Sequence, residues 1–426
     1  MTDWKEYYIK DIAKIKSGKR LPAGHSLLNE VTAHPYIKAR DIKGGIIDDN
    51  NLQYLSDQTF QKIKKYIVDE NDICITIVGA NVGDVGKVPK KLNKANLTEN
   101  AVRLTEFSEM VSPHFLYKLI SQKSYKEYME LLSGGTAQPK LGIYKVEKIL
   151  VKLPPFEIQE VFSSILSQFD NLIENNHKRI KILNKICRDI YIEWFVRMRF
   201  PGYKEIKFEK GIPNGWISER VEKHIEIIRG RSYTGLEIDD NSGTMPFINL
   251  KNMNRGGGFR LNGTKFYSGK FKKDQIVKPG DIVMAVTDMT QDRSVVGRFA
   301  RVPKTNFDEY VISLDIAKIV SKNLPTDFLY STFRFNYYGQ NLAEYANGTN
   351  VLHLNPELLK KEFILIPTSN IVNNFVHIVK PIYELLDIYS IQSLKLKEIR
   401  DRLLPRMISG KLQVKNSIKL SQTISA

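Results

Sequence analysis

Apolar residues recur every three or four positions between 154 and 200: Ile165, Phe169, Leu172, Asn176, Ile180, Leu183, Cys187, Ile190 and Trp194. Steps of three and four place these positions on one helical stripe, with a slip at Asn176–Ile180. A second stripe, Ile378, Ile382, Leu385, Tyr389, Ser393, Leu396, Arg400, Leu403 and Met407, lies within 367–412. Both stripes are interrupted near the middle, so neither suits a strong homodimer. Antiparallel pairing of the two helices within one chain covers both. A helix of about 40 residues makes a rod about 60 Å long. Asn176 is either a register-fixing polar residue in this seam or simply an exposed one. Pro154-Pro155 precedes the first helix and Phe200-Pro201-Gly202-Tyr203 ends it, while Pro381 predicts a kink or a new start in the second.

The segments before each helix have a different rhythm. Ile73-Cys74-Ile75-Thr76-Ile77-Val78, just after Asp72, reads as a buried strand, and Asp281-Ile282-Val283-Met284-Ala285-Val286 takes the same place later. Short strands broken by Gly-rich turns predict a compact α+β domain. Phe115 to Leu132 and Phe328 to Tyr345 read as amphipathic helices. The predicted organisation is therefore a globular domain over 1–153, a long helix over 154–200, a linker and second globular domain over 201–366, a long helix over 367–412 and a frayed tail over 413–426.

These halves repeat one another. Trp4 and Gly18 recur as Trp216 and Gly230, shifted by 212, and Tyr36-Ile37 as Phe247-Ile248, shifted by 211. Phe115-Leu116-Tyr117, Gly135-Thr136, Leu141, Pro154 and Ile186 recur at Phe328-Leu329-Tyr330, Gly348-Thr349, Leu354, Pro367 and Ile399, all shifted by 213. So little drift over a whole half indicates duplication, and the period is domain-sized rather than that of a solenoid unit. Two modules on one chain suit a bipartite partner.

Charge narrows the choice of partner. Lys and Arg number 64 against 47 Asp and Glu, a net +17, which attracts polyanions. Nucleic acid comes first and an acidic membrane second. No apolar run is long enough to span a bilayer, and the first residues lack a secretory pattern. Cys74 and Cys187 are the only cysteines, too few for a zinc site and unsuited to a disulfide, which points to the cytoplasm.

Catalytic motifs are hard to find. Asn355-Pro356-Glu357-Leu358 lacks the second Pro and the aromatic of an adenine methyltransferase loop, and reads as a helix start with Pro in the first position. Gly79 to Gly86 has the wrong spacing for a dinucleotide fingerprint and reads as a turn between strands. Glu205-Ile206-Lys207 lies in the linker without a partner Pro-Asp pair for a nuclease. The seven His residues show no i, i+4 ligand pair. The expectation is a binder without an active site, a cofactor or a metal of its own.

The basic and polar loops offer more. Lys19 and Arg20 follow Gly18; Arg229, Arg231 and Tyr233 surround Gly230. Lys38, Arg40 and Lys43 follow the Tyr36 strand, and Asn249 and Lys251 follow its twin. Asn81 lies in the loop after the first buried strand; Thr287, Thr290, Gln291 and Arg293 occupy the unlike loop after the second. Thr136, Gln138 and Lys140 sit at the first Gly-Thr pair, and Thr349, Asn350 and His353 at the second. Arg, Lys, Asn and Gln read base edges, while Lys, Ser and Thr hold phosphates. Any one of them also fits a solvated surface residue; the set is the argument.

This order of domain, helix, domain, helix resembles the specificity subunit of type I restriction–modification systems. Leu403-Leu404-Pro405-Arg406-Met407-Ile408-Ser409-Gly410-Lys411-Leu412 looks like the family's terminal helix signature, and Leu183 to Val196, ending Glu193-Trp194-Phe195-Val196, like its central counterpart. The resemblance covers nearly all of 1–412. It implies two target recognition domains, each reading half of a split sequence in double-stranded DNA, held apart by two antiparallel long helices forming a coiled coil. It also implies two modification subunits that methylate adenine with S-adenosylmethionine, and restriction subunits that use ATP and Mg, with no chemistry on this chain. The competing expectations are a fused restriction–modification enzyme and a structural adaptor that binds an acidic protein.

Overall fold

The computed structural model describes residues 4–134, 139–239 and 243–409. It divides into two compact units, one of residues 1–170 with 399–426, the other of residues 171–398.

In the first unit a four-stranded sheet has Lys14–Ser17, Ala101–Thr105, Ile73–Thr76 and Val85–Lys87 side by side, all antiparallel. The run Ile73–Thr76 is buried throughout, as its unbroken apolar character requires. A smaller sheet pairs Pro35–Ile37 with Gln53–Tyr54 and, in parallel, with Asn96–Leu97. Helices Pro113–Ile120 and Lys123–Ser133 follow, then a pairing of Lys5–Tyr8 with Leu150–Leu153.

The second unit repeats this order. Ile225–Arg229, Ile316–Ser321, Ile282–Ala285 and Phe299–Arg301 form the equivalent sheet. Met245–Ile248 again runs parallel to Tyr310–Ile312. Helices Thr326–Phe335 and Tyr338–Glu344 and the pairing of Ile217–Arg220 with Phe363–Ile366 complete the copy. Even single hydrogen bonds recur: Leu141 N donates to Ile77 O and Leu354 N to Val286 O, both at 2.8 Å. Each segment read as one amphipathic helix, from Phe115 and from Phe328, is broken in two. Ser121 ends the first pair's leading helix, and Asn336 the second's. The break leaves Phe115 and Tyr117 in the core of the first unit and Phe328, Tyr330, Phe333 and Tyr338 in that of the second.

Two long helices span Phe156–Tyr191 and Ser369–Ile408, the first continuing as a π-helical turn over Ile192–Val196. In the first unit Phe162 and Leu166 share a core with Met407. Asp170 binds both Lys118 and Arg400 at 2.7 Å, and these two cations hold its carboxyl below the usual range although burial opposes them. In the second unit Cys187, Tyr191, Trp194 and Phe195 pack with Phe375, Val379 and Tyr383. There the stripe on the later helix differs from the one expected. Ile371, Phe375, Val379 and Tyr383 are buried, whereas Ile378 and Leu385 are 40% exposed. These first turns follow the core of the neighbouring domain, whose residues share their cluster, so the apolar face is rotated by one position. The helix continues through Pro381, which is therefore not a new start.

Arg301 secures this stretch. Its guanidinium reaches Asp327 at 3.3 Å and Asp387 at 2.9 Å, with all three side chains about one-seventh exposed. Ser331 and Tyr383 share a hydroxyl hydrogen bond at 2.7 Å beside it.

Candidate nucleic-acid interface

A close approach fixes the Gly18 turn. A Cβ there would lie 2.0 Å from Thr98 O, and a Cβ on Gly230 would lie 2.0 Å from Ser313 O. Backbone bonds from Lys19 N to Leu97 O and from Arg231 N to Ile312 O then lead each chain away from its sheet. Lys19 Nζ lies 5.5 Å over the Tyr66 ring, and the exposed Arg20 binds Glu99 at 2.8 Å. Arg229 donates to Asn355 Oδ1 at 2.9 Å. Tyr233 stands edge-on to Phe247, with ring centres 5.0 Å apart, and burial raises its hydroxyl pKa.

The residues after the Tyr36 strand are partly committed to the fold. Lys38 donates to Gln53 at 2.8 Å, and burial lowers its pKa. Lys43 pairs with Asp48 at 2.9 Å, while the exposed Arg40 is 3.8 Å from Asp41. In the twin, Asn249 is buried and its side chain accepts from Lys251 N at 2.8 Å, capping its own turn. Lys251 is exposed.

The loops after the buried strands meet the segments that follow the Gly-Thr pairs. In the first unit Gly79 N donates to Pro139 O at 3.0 Å and Val78 bridges Lys140, with Asn81 half-buried in the same loop. Thr136 and Gln138 lie outside the described residues. In the second unit Thr287-Asp288 pairs antiparallel with Leu352-His353. Gln291 donates to Thr349 O at 3.1 Å, and Arg293, with φ of 54°, binds Glu344 at 2.6 Å. Thr287, Thr290, Gln291, Arg293, Thr349 and His353 therefore gather on one loop cluster, with Asn350 exposed between them. Thr287 itself is buried and donates to Asp315 at 2.8 Å.

Asp288 organises this cluster, although it is not among the basic and polar recognition candidates. Its buried carboxylate accepts from Thr290 N at 3.0 Å, Thr290 Oγ1 at 2.9 Å, Val295 N at 2.8 Å and Val296 N at 3.1 Å. The signal was present: an Asp two residues before a Thr in a polar loop is the pattern of a side chain that folds its own turn. Asn355 behaves as expected, accepting from Glu357 N at 3.2 Å with Pro356 first in its helical turn. Among the described residues no group of three His, Cys, Asp or Glu is placed to hold a metal, and no helix is long and apolar enough to cross a membrane.

Each loop cluster follows the equivalent strand of its own unit's four-stranded sheet, Ile73–Thr76 in one and Ile282–Ala285 in the other, with different side chains. Residues 1–185 match the family model described as the type I restriction modification DNA specificity domain. The type I restriction enzyme MjaIX specificity subunit of Methanocaldococcus jannaschii is 25% identical, over 97% of this chain and 94% of its own length. The HindI specificity subunit of Haemophilus influenzae is 22% identical, over 97% of this chain and all of its own. The crystal structure of a type I S subunit from M. genitalium has the same fold, with a TM-score of 0.60 at 15% identity over 95% of this chain and 96% of that one. Residues 1–185 therefore carry the type I restriction modification DNA specificity domain, and the chain is similar along nearly its whole length to specificity subunits of type I restriction enzymes.

Proposed function

We propose that the chain reads a split double-stranded DNA sequence, one half with each sheet-borne loop cluster, as a non-catalytic subunit. Two modification subunits bring S-adenosylmethionine-dependent adenine methylation, and restriction subunits bring ATP- and Mg-dependent cleavage. The observation that carries this reading is the repeated sheet with unlike loops: Gly79 to Gly86 in one copy, and the Asp288-organised Thr287 to Arg293 in the other. A common frame with divergent polar side chains is what two readers of different bases need. The excess of 64 basic over 47 acidic residues supports phosphate contact.

The long helices act as a spacer in this reading, paired antiparallel as a coiled coil. Their 36 and 40 residues support it, since such helices are about 54 and 60 Å long and a helical turn of DNA is about 34 Å. The test is methylated-adenine mapping with the modification subunits present. Wild type marks a two-part motif with a fixed gap, and adding about four residues to both helices lengthens that gap by about one helical turn of protein, ~6 Å. A contiguous motif, or an unchanged gap in the lengthened variant, sinks the reading.

A further inference from the structure

A cleft of about 700 Å³ opens in the second unit between the end of the first long helix and the helices Thr326–Phe335 and Tyr338–Glu344. Lys185, Arg188, Arg197, Arg298 and Arg334 line it, and no Asp or Glu does. Lys185 and Arg197 pair with Asp189 and Glu193 on their own helix. Arg188, Arg298 and Arg334 make no ion pair among the described residues. Arg334 donates to the carbonyls of Gly256 and Gly257. The Nε atoms of Arg298 and Arg334 are buried without a hydrogen-bond partner. Burial, and then the neighbouring Arg334, lowers the pKa of Arg298 against the smaller opposing pull of the Asp288 carboxylate, which makes no ion pair with it. Two like charges held together with unmet donors cost free energy unless an anion joins them.

The fold does not demand this cluster, because the first copy builds the same positions otherwise. Ala285 N donates to Arg298 O where Thr76 N donates to Asp84 O, so Asp84 is the counterpart of Arg298. The 213-residue shift that relates the helices makes Ser121 the counterpart of Arg334 and Asp401 that of Arg188. Acidic or neutral residues thus occupy three positions that are arginine in the second copy. Guanidinium groups present planar pairs of N–H donors that match phosphate oxygens bidentately, and the volume lies within the usual range of ligand sites.

We infer that this cleft is a binding site for a phosphate group, supplied either by a nucleic-acid backbone or by a free polyphosphate. The cleft adjoins the second loop cluster through Gly256 but shares none of its recognition candidates, so losing it is expected to leave sequence preference unchanged.

The test titrates the full chain with sodium pyrophosphate and, separately, with a duplex, comparing wild type with Arg188→Ala and Arg298→Met. Pyrophosphate binding that weakens about tenfold in each variant supports a free polyphosphate. Failure of pyrophosphate to bind, with duplex affinity reduced and its salt slope smaller by about one in each variant, supports the backbone. Unchanged affinity for both probes overturns the site, as does pyrophosphate binding that the variants do not alter. Arg298→Met removes a half-buried charge that makes no ion pair, so its melting temperature stays level or rises. Should it fall, the exposed Arg188→Ala decides alone, and unchanged affinities in it overturn the inference.

Discussion

Asn176, 4% exposed on the first long helix, donates its side-chain amide to Gln392 Oε1 on the second at 3.1 Å. Three residues on, Arg179 lies over the ring of Tyr389, so this stretch pairs antiparallel within the second unit. A buried Asn in such a seam fixes register and lowers stability relative to an apolar residue. Asn176→Leu is therefore expected to keep or raise the melting temperature, because Gln392 is exposed and can turn to water. Asn176→Ala is expected to cost about 1 kcal/mol through the lost bond and the small void. A Leu variant less stable than the Ala variant in calorimetry would remove Asn176 from the seam.

Arg301 offers a sharper case. Removing it leaves Asp327 and Asp387 buried without their cation, so Arg301→Met alone is expected to destabilise the chain by about 3–5 kcal/mol. Burial already raises the Asp387 pKa, against the pull of Arg301. Changing Arg301, Asp327 and Asp387 together to apolar residues of similar size should recover most of that loss. Urea unfolding of the single and triple variants distinguishes a cluster that stabilises from one that only forbids its own dismantling. A triple variant as unstable as the single one contradicts this account.

Gly18→Ala and Gly230→Ala each drive a methyl group to 2.0 Å from a backbone carbonyl oxygen, that of Thr98 or Ser313, just past the equivalent strand. Each is expected to cost about 3 kcal/mol, the upper end for an overpacked site, since the neighbour is backbone and cannot turn aside. The damage should be local, with faster proteolysis of the unit that carries the substitution. Equal protease sensitivity of both units in either variant would count against the tight contact.

Much of this frame could be read from residue types, because burial imposes it. Ile73 to Thr76 is a strand since four consecutive positions must avoid water, and the glycines recur since only glycine fits. What stayed hidden depends on partners distant in sequence. Lys118 with Asp170 and Ser331 with Tyr383 make 2.7 Å contacts at equivalent positions with unrelated chemistry, so comparing the halves by residue type conceals both. The rotated face at Val379 and Tyr383 arises from the domain it covers rather than from its own period. The polar loops were legible as loops. Which side chains they spend internally was not, because Asn249 and Gln291 look alike until their acceptors and donors are placed.

That distinction orders the recognition candidates. Arg40→Ala and Arg293→Ala are each expected to weaken duplex binding by about 1–3 kcal/mol if their guanidinium groups read a base. Arg293 must exchange Glu344 for DNA to do so. Asn249→Ala is expected to lower thermal stability while sparing sequence preference, since its side chain caps a turn. Competition binding with scrambled duplexes checks all three. Normal affinity and preference in both Arg variants would remove them from the interface.

His114 makes the first unit sensitive to acid. Its ring lies between Lys87 Nζ, 3.3 Å from Nδ1, and Ser167 Oγ, 3.1 Å from Nε2. An ammonium group only donates, so Nδ1 accepts and the ring proton sits on Nε2. Lys118 is also near, and Asp170 is the opposing charge. Burial first, then Lys87 and Lys118, pushes the imidazole pKa from 6.5 down to about 4. The unfolded chain therefore takes up a proton near pH 6.5 that the folded chain refuses until about pH 4. Stability from this group is complete above pH 6.5, falls as the pH drops through that window and levels off below pH 4. The depressed carboxyls, Asp170 among them, lose their contribution only at lower pH, below their ordinary values. His114→Gln, which can keep an acceptor towards Lys87, should flatten the decline between pH 6.5 and 4.5 and leave the lower limb in place. Melting temperatures across that range decide the matter, and parallel curves for the two proteins would assign the acid sensitivity elsewhere.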